Sequence, residues 1–143
     1  MYGALDIATS GMLVQRTRLE VATANVVNQN TLRDSQGRLS PFRRRLALVA
    51  AGDPTSNDPA ARVLGVHVSK IALDNAPPGL REFNPDHPDA YRDGPLKGYV
   101  ATTNINPVVE QINALEATRA YEANVVAAEA IKQMGAQALR LIA

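Results

Sequence analysis

Hydrophobic residues recur at helical spacing along the first thirty residues of the chain. They form two columns with steps of seven, which are Leu5, Met12, Leu19 and Val26, and Ile7, Val14 and Val21. Successive residues of an α-helix are 100° apart, so the columns lie about 200° apart around the helix axis. We therefore expect a helix over residues 1–30 in which the Leu5 column meets a helix of the same chain and the Ile7 column meets a neighbouring subunit.

The alternative is that both faces of this helix are buried inside its own domain. Residues 31–106 disfavour that arrangement, because they are polar, rich in loops and offer little apolar cover. Gly11 lies inside the helix, where a glycine costs about 1 kcal/mol relative to alanine. It marks either the close approach of another backbone or a bend.

A second and longer helix is predicted over residues 107–143. Asn106 is a good N-cap, and Pro107 suits the first helical position, where its missing N–H has no helical partner. Small or apolar residues then recur in steps of three and four: Ala114, Ala117, Tyr121, Asn124, Ala128, Ile131, Gly135, Ala138 and Ile142. Such a seam is typical of a coiled coil, in which the polar Asn124 selects the register at some cost in stability.

The length of this second helix bears on the quaternary structure. About 36 residues at 1.5 Å each extend roughly 54 Å, whereas a compact domain of this length is only about 37 Å across. The helix must project beyond a globule, so neighbouring subunits are expected to complete the core. The predicted fold is mainly α with a small β-rich middle, and its long terminal helices form an intramolecular and intersubunit coiled coil.

The middle of the chain, residues 31–106, contains eight of the nine prolines, and its pattern predicts short strands joined by turns. The candidate strands are PFRRRLALVA, VLGVHVSKIAL, LREF and GYVAT, and the candidate turns are DNAPPGL and NPDHPDA. Residues 53–59 look like an exposed loop. The segments 1–30, 31–106 and 107–143 are expected to form one domain together.

Composition and charge narrow the function. Fifteen basic residues against fourteen acidic ones give a net charge of +1, too close to zero for a protein that binds nucleic acid or an anionic membrane. The chain has no cysteine, which excludes disulfides and thiolate metal sites. It has no apolar run of about 18 residues that could span a membrane, and MYGALDIATSGM lacks the basic start of a cleavable signal.

Few residues suggest chemistry. His87 lies between Asp86 and Asp89, but the prolines around it favour a polar turn over a metal site. Residues 43–45 form a run of three arginines whose side chains alternate in direction in a strand, which favours solvation or subunit ion pairing over a phosphate site. The chain contains no phosphate loop, nucleophile elbow or zinc-type spacing. We therefore expect no catalytic residue, metal or cofactor.

Both ends of the chain resemble the signatures of the bacterial flagellar axial proteins, the family of rod, hook and filament-junction subunits. The N-terminal match is ALDIATSGMLVQRTRLEVATANVVNQNT, and the C-terminal match is NINPVVEQINALEATRAYEANVVAAEAIKQMGAQAL. The motifs GVHV, NPDHPDA and GYVATTNIN are similar to those of a proximal-rod member. Longer distal-rod and hook relatives carry an inserted domain that 143 residues cannot hold.

The resemblance implies a structural subunit of the proximal rod in the flagellar basal body, polymerising into the shaft that transmits motor torque across the periplasm. It implies export by the flagellar type III apparatus without a cleavable signal peptide. The implied partners are copies of the chain, other rod proteins, the adaptor between rod and membrane ring, and the distal rod, with neither nucleic acid nor membrane insertion. The alternative function is a soluble coiled-coil adaptor or secretion chaperone that holds a client with the same helices.

Subunit packing is the only role expected of individual residues. The residues that match the family's signatures are Leu5, Leu19, Asn25, Asn28, Thr31, Glu110, Arg119, Tyr121, Glu122 and Asn124. The apolar columns and the seam add Ile7, Met12 and Ile131.

Overall fold

A computed structural model describes residues 2–77 and 79–142 of the chain. Its elements, in chain order, are α1 (Tyr2–Val27), β1 (Arg45–Ala51), α2 (Pro59–Leu64), β2 (Val66–Leu73), β3 (Leu80–Phe83), β4 (Tyr99–Ala101) and α3 (Pro107–Ile142). The fold is mainly helical with a small β-rich middle, as the sequence predicts. Pro78 of the predicted DNAPPGL turn lies outside the described residues.

The two terminal helices, α1 and α3, pack against each other in antiparallel orientation. Asn25, near the end of α1, donates a hydrogen bond to Glu110 in the first turn of α3. Gly11, fourteen residues earlier, faces the side chain of Asn124, fourteen residues later. Equal spacing between the two contacts shows that the helices keep one register over about four turns. The intramolecular pairing is confirmed, and the coiled-coil geometry stays a prediction.

The start of α3 agrees with the sequence, and the end of α1 differs by three residues. The side chain of Asn106 accepts hydrogen bonds from the N–H groups of Val108 and Val109, as expected of an N-cap. At the other junction α1 ends at Val27 instead of residue 30. There the side-chain amide of Asn28 donates to the Ala24 carbonyl, and the chain turns. Such local bonds compete with continuation of a helix.

The prediction for the two faces of α1 was wrong in part. Val14 and Val21 of the Ile7 column are 3% and 8% exposed within the single chain, so a neighbouring subunit is not needed to cover them. They line the space between α1 and the β1–β2 hairpin, beside Val68 and Leu46 respectively. The hairpin therefore supplies the apolar cover that residues 31–106 were not expected to provide.

The β1–β2 hairpin is an antiparallel pair that α1 holds in place. Its register runs from Arg45 opposite Leu73 to Ala51 opposite Val66, with an irregularity after Leu48. At the start of β2 the N–H of Val66 donates to the hydroxyl of Ser10 on α1. That bond satisfies a strand-end donor with a helix side chain and ties the hairpin to α1.

The loop predicted over residues 53–59 is irregular as expected up to residue 58, and a short helix, α2, follows it where the start of a strand was predicted. It begins at Pro59, and the Asp58 carboxylate caps it by accepting from the N–H of Ala60. Val63 and Leu64 consequently belong to α2, and β2 starts only at Val66. The Asp-Pro-Ala-Ala sequence carries the start signal of a helix, an N-cap followed by proline.

The β3 and β4 strands pair with each other to form a second small sheet. The turn predicted at NPDHPDA is confirmed: the N–H of His87 donates to the Asn84 carbonyl, and the N–H of Ala90 donates to the His87 carbonyl. The His87 ring nitrogen accepts from the N–H of Asp89. The imidazole is thus engaged in closing the turn. Among the described residues no group of three or more histidine and acidic side chains is placed to hold a metal.

Candidate subunit interface

A buried carboxylate joins both helices to the hairpin. Glu110 lies in the first turn of α3 and is 2% exposed. One of its oxygens accepts from the Asn25 amide on α1 at 2.8 Å, and the other accepts from the Arg44 guanidinium at 2.7 and 2.8 Å. A carboxylate near a helix N-terminus is also favoured by the helix dipole. Three segments distant in sequence therefore meet at one charged group.

Asn25 completes the junction through the backbone. Its side-chain amide donates to the carbonyl of Arg45, and its side-chain oxygen accepts from the Arg45 N–H, each at 2.9 Å. Asn25 is fully buried. The Asn25 amide group thus pairs with both backbone groups of Arg45, the first residue of β1, as a residue of a neighbouring strand would. The same amide group also donates to Glu110. An unpaired buried amide would cost about 1–3 kcal/mol, so this pattern specifies the position of β1.

The three consecutive arginines have three different environments, all within one chain. Arg43 donates to the carbonyl of Asp74 and to the side chain of Asn75. Arg44 binds Glu110, with Asp74 at 3.6 Å on its other side, and Arg45 lies over the Phe42 ring at 5.0 Å. The predicted ion pairing is therefore intramolecular for Arg44, and the run does not form a single basic patch.

The second contact between the helices is uncharged and close. An added Cβ on Gly11 would lie 2.9 Å from the Asn124 amide atoms. The same amide donates to the Ala120 carbonyl in its own helix. Of the two explanations considered for Gly11, the structure supports close approach, although the neighbour is a side chain instead of a backbone. Asn124 thus faces its own chain's α1, and its effect on assembly stays a prediction.

The side of α3 that faces away from α1 carries large apolar residues that are exposed to solvent. Val108, Ile112, Leu115 and Val126 are between 50% and 65% exposed. They lie about 180° around the helix from Glu110, Ala117 and Asn124, which face α1 or are buried. Exposed apolar surface of this kind, aligned along one helix, marks an interaction site when it forms a contiguous patch.

The predicted packing residues separate into three groups by exposure. Asn25 and Glu110 are buried at the helix junction. Those with intermediate exposure are Leu5, Ile7, Met12, Leu19, Asn28, Asn124 and Ile131. Those that are exposed are Thr31, Arg119, Tyr121 and Glu122. The contacts of the first group are internal, and only the exposed and half-exposed groups have surface left for a neighbour. The side chain of Ile142, at the end of the seam, lies outside the described ones.

Sequence reasoning missed the polar partners that position the junction. Asn104 accepts from the N–H of Arg44, and Thr103 donates to the Gln29 carbonyl, so that the approach to α3 is tied to the residue before β1 and to the turn after α1. Asn113 donates to Glu110 one turn further along α3. The only local signal was Glu110 in the first turn of a capped helix, which indicates a dipole interaction but not its partners.

The electrostatics of the exposed surface are modest and local. Arg38 donates to Asp34 through its backbone N–H and its side chain, and these bonds lower the pKa of the Asp34 carboxyl. The hydroxyl and N–H of Thr55 donate to Asp53 and lower its pKa in the same way. Both are hydrogen-bonded turn carboxylates of a kind common on protein surfaces. Within the described part of the chain, no helix combines the length and apolar character needed to cross a bilayer.

The described elements thus define a class of protein, a structural subunit with paired terminal helices and an apolar outer helix face. Comparison with known proteins supports that class. Residues 96–141 match the family model described as flagellar basal body rod FlgEFG protein C-terminal. The match covers the last strand and nearly all of α3.

Similarity to particular proteins extends over almost the whole chain. The flagellar basal-body rod protein FlgC of Borreliella burgdorferi is 32% identical across 99% of this chain and 97% of its own length. The FlgC proteins of Bacillus subtilis and Escherichia coli are 33% and 32% identical, with similar coverage. The chain therefore belongs to the FlgC family of flagellar basal-body rod proteins, and it is a structural subunit. These relatives do not favour an adaptor or secretion chaperone.

Proposed function

We propose that this chain assembles with copies of itself and with other rod proteins into the proximal rod, and that it does so through the outward faces of α1 and α3. The observation that carries the proposal is the row of half-exposed Val108, Ile112, Leu115 and Val126 on α3. Burial of apolar area stabilises association by about 25 cal/mol per Å². A row of this length therefore favours a protein neighbour over water.

The internal contacts fit a subunit that carries mechanical load. The 36 residues of α3 are held to α1 at two points fourteen residues apart and, through Arg44, to the residue that directly precedes β1. The β1–β2 hairpin lies against α1 and is tied to it by Ser10. A torque applied to one helix would pass to the other elements through these contacts. We accordingly treat segments 1–30, 31–106 and 107–143 as one unit and the assembled rod as a drive shaft.

The remaining parts of the proposal come from the resemblance of the two ends. They are a position in the periplasmic section of the basal body, export by the flagellar type III apparatus, and contacts with the adaptor to the membrane ring and with the distal rod. The chain has no cysteine, so it is compatible with both the reducing compartment it would leave and the oxidising one it would enter. No part of this role requires catalysis or a cofactor.

Rod assembly in a bacterium that lacks its own FlgC tests the proposal. Wild-type chain should restore isolated rods and swimming. Val126→Lys, on the outer face of α3, should reduce both by at least tenfold while the free chain keeps its unfolding midpoint. Val63→Lys is the matched control, because Val63 is 73% exposed against 65% for Val126 but lies on α2. Normal rods with Val126→Lys would exclude this face as an interface.

A further inference from the structure

The outward side of α1 carries a stripe with a definite order of charges. We call the residues Thr9, Leu13, Arg16, Glu20, Thr23 and Val27 the outer stripe of α1; all are exposed and are spaced by steps of three and four. The stripe lies about 160° around the helix from Gly11, which faces α3. Arg16 and Glu20 in its centre form an exposed ion pair at 2.9 Å.

The outward side of α3 carries a stripe of the same kind. Its members are Val108, Ile112, Leu115, Arg119, Glu122 and Val126, again exposed and in steps of three and four. We call them the outer stripe of α3. Each stripe has one arginine followed by one glutamate in the middle, with at least one apolar residue on either side of that pair; on α1 these are Leu13 and Val27, and Thr9 and Thr23 complete the stripe. The two stripes lie on opposite sides of the helix pair, so they cannot meet within one chain.

The charge order distinguishes the two ways in which these stripes could pack between copies. In parallel orientation, aligning Leu13 with Leu115 would place arginine beside arginine and glutamate beside glutamate. In antiparallel orientation Arg16 meets Glu122 and Glu20 meets Arg119. Like charges placed in contact across an interface are destabilising, whereas opposite charges facing each other fix the register, so the charge order favours the antiparallel orientation.

The spacing of the apolar residues agrees with the antiparallel alignment. From Leu13 the chain reaches Arg16 after three residues, Glu20 after four more and Val27 after seven more. Counted backwards from Val126, Glu122 comes after four residues, Arg119 after three more and Ile112 after seven more. Leu13 therefore faces Val126 while Val27 faces Ile112, so both charge pairs lie between two apolar contacts.

We propose that the outer stripe of α1 packs antiparallel against the outer stripe of α3 in a second copy of this chain, with Arg16 opposite Glu122 and Glu20 opposite Arg119. This inference rests on the proposed self-assembly and adds its register. The contact joins two different surfaces, so each added copy leaves a free stripe at either end. Such a contact extends into an open assembly instead of closing into a symmetric dimer.

The charges select the orientation, whereas the apolar residues supply most of the attraction. Exposed ion pairs contribute little to stability, so removing one charge is a weak test. Repulsion between like charges is the stronger discriminator between correct and incorrect pairing. The informative measurements are therefore the register of the two outer stripes and the effect of reversing the order of their charges.

Cysteine cross-linking tests the register, since the chain has no cysteine of its own. A disulfide requires Cα atoms within about 7 Å, so Leu13→Cys with Val126→Cys should give a ladder of covalent oligomers under mild oxidation. The matched control, Leu13→Cys with Leu115→Cys, reports parallel packing and should give less than a tenth of that yield. A ladder with the control pair and none with Val126→Cys would overturn the proposal.

Exchange of charges tests the pairing without changing net charge. R16E/E20R should reduce assembly at least tenfold, and so should R119E/E122R, because each places like charges opposite each other. The quadruple variant should recover assembly, and a mixture of the two double variants should co-assemble although neither assembles alone. Wild-type assembly by both double variants, or no recovery in the quadruple variant with its helix content intact, would overturn the proposal.

The two proposals fail in different ways. If the wild-type chain neither assembles in solution nor restores rods in cells, the self-assembly on which both depend is wrong. If wild-type rods form but the cross-links and charge exchanges give the opposing results, assembly stands and only the antiparallel register is wrong.

Discussion

Two arginines join distant parts of this chain, and their surroundings make them different. Arg44 reaches Glu110 across 66 residues at a site where the carboxylate is 2% exposed. Arg33 reaches Asp89 across 56 residues, with two donors on one carboxylate oxygen and further bonds to the Gly37 and Pro88 carbonyls. Its side chain is 46% exposed and that of Asp89 is 24% exposed.

The comparison shows that the number of bonds does not measure their importance. Arg33 makes as many contacts as Arg44, but water can replace most of them. At Glu110 water is excluded, so loss of Arg44 would leave a buried carboxylate without an opposite charge, and loss of Asn25 would leave one of its oxygens without its hydrogen-bond donor. The junction that positions α1, α3 and β1 should therefore depend on its charges, whereas the Arg33 site should tolerate their loss.

The largest expected effect comes from breaking the buried junction. Arg44→Met should lower the free energy of unfolding by about 3–5 kcal/mol, because it leaves the Glu110 carboxylate without an opposite charge in a water-excluded site. Denaturant unfolding of the free chain measures the change. Arg119→Met, on the exposed side of α3, is the control and should stay within about 0.5 kcal/mol of wild type. A loss below about 1 kcal/mol for Arg44→Met would contradict the assigned role of burial.

A smaller effect is expected at the uncharged contact between Gly11 and Asn124. Comparing its size with that of the Glu110 junction shows how much the pairing of α1 and α3 depends on the charged contact. Gly11→Ala should destabilise the chain by about 1–2 kcal/mol. The added methyl group displaces the Asn124 side chain, and the free-energy cost of that displacement exceeds the stabilisation that alanine's higher helix propensity supplies. The double variant Gly11→Ala with Asn124→Ala should recover most of the loss. If the two changes are simply additive in a double-mutant cycle, the close contact is not the cause.

The exposed cluster should respond weakly and locally. Arg33→Met should cost about 1 kcal/mol or less. Amide exchange should rise in residues 33–39 and 85–90, where Arg33 bridges two turns, while protection of α1 and α3 stays unchanged. Faster exchange throughout the helices would mean that the two clusters belong to one cooperative unit and that the contrast between them is wrong.

The smallest effect concerns protonation in the exposed region. Arg38 lowers the pKa of Asp34 through its hydrogen bonds, so this carboxylate stabilises the folded chain above its ordinary pKa of 3.8, and the contribution is lost as the pH falls through the lowered value. Arg38→Met removes the side-chain hydrogen bond but keeps the bond from the backbone N–H, which is the larger cause, so it should move the Asp34 pKa only part of the way back towards 3.8, as measured by NMR titration. Asp53 keeps its Thr55 donors and serves as the unchanged reference.

Residues close together in the chain determined much of this fold. The cap at Asn106 and the proline after it place the start of α3, and apolar periodicity predicts both terminal helices and the four strands within a few residues. The motifs at the two ends also predicted the family. These features depend on backbone preferences and on neighbours within about four residues, which a single sequence displays.

The tertiary structure alone decided which faces and which charges meet. Val14 and Val21 were expected at a subunit contact, yet the hairpin covers them, because strand position depends on contacts such as the Asn25 pairing with β1. Arg44 was one of three equivalent arginines in the sequence, and only burial against Glu110 distinguishes it. Pairing across 66 residues follows from how whole elements pack, and neither the spacing nor the identity of the residues encodes that geometry locally.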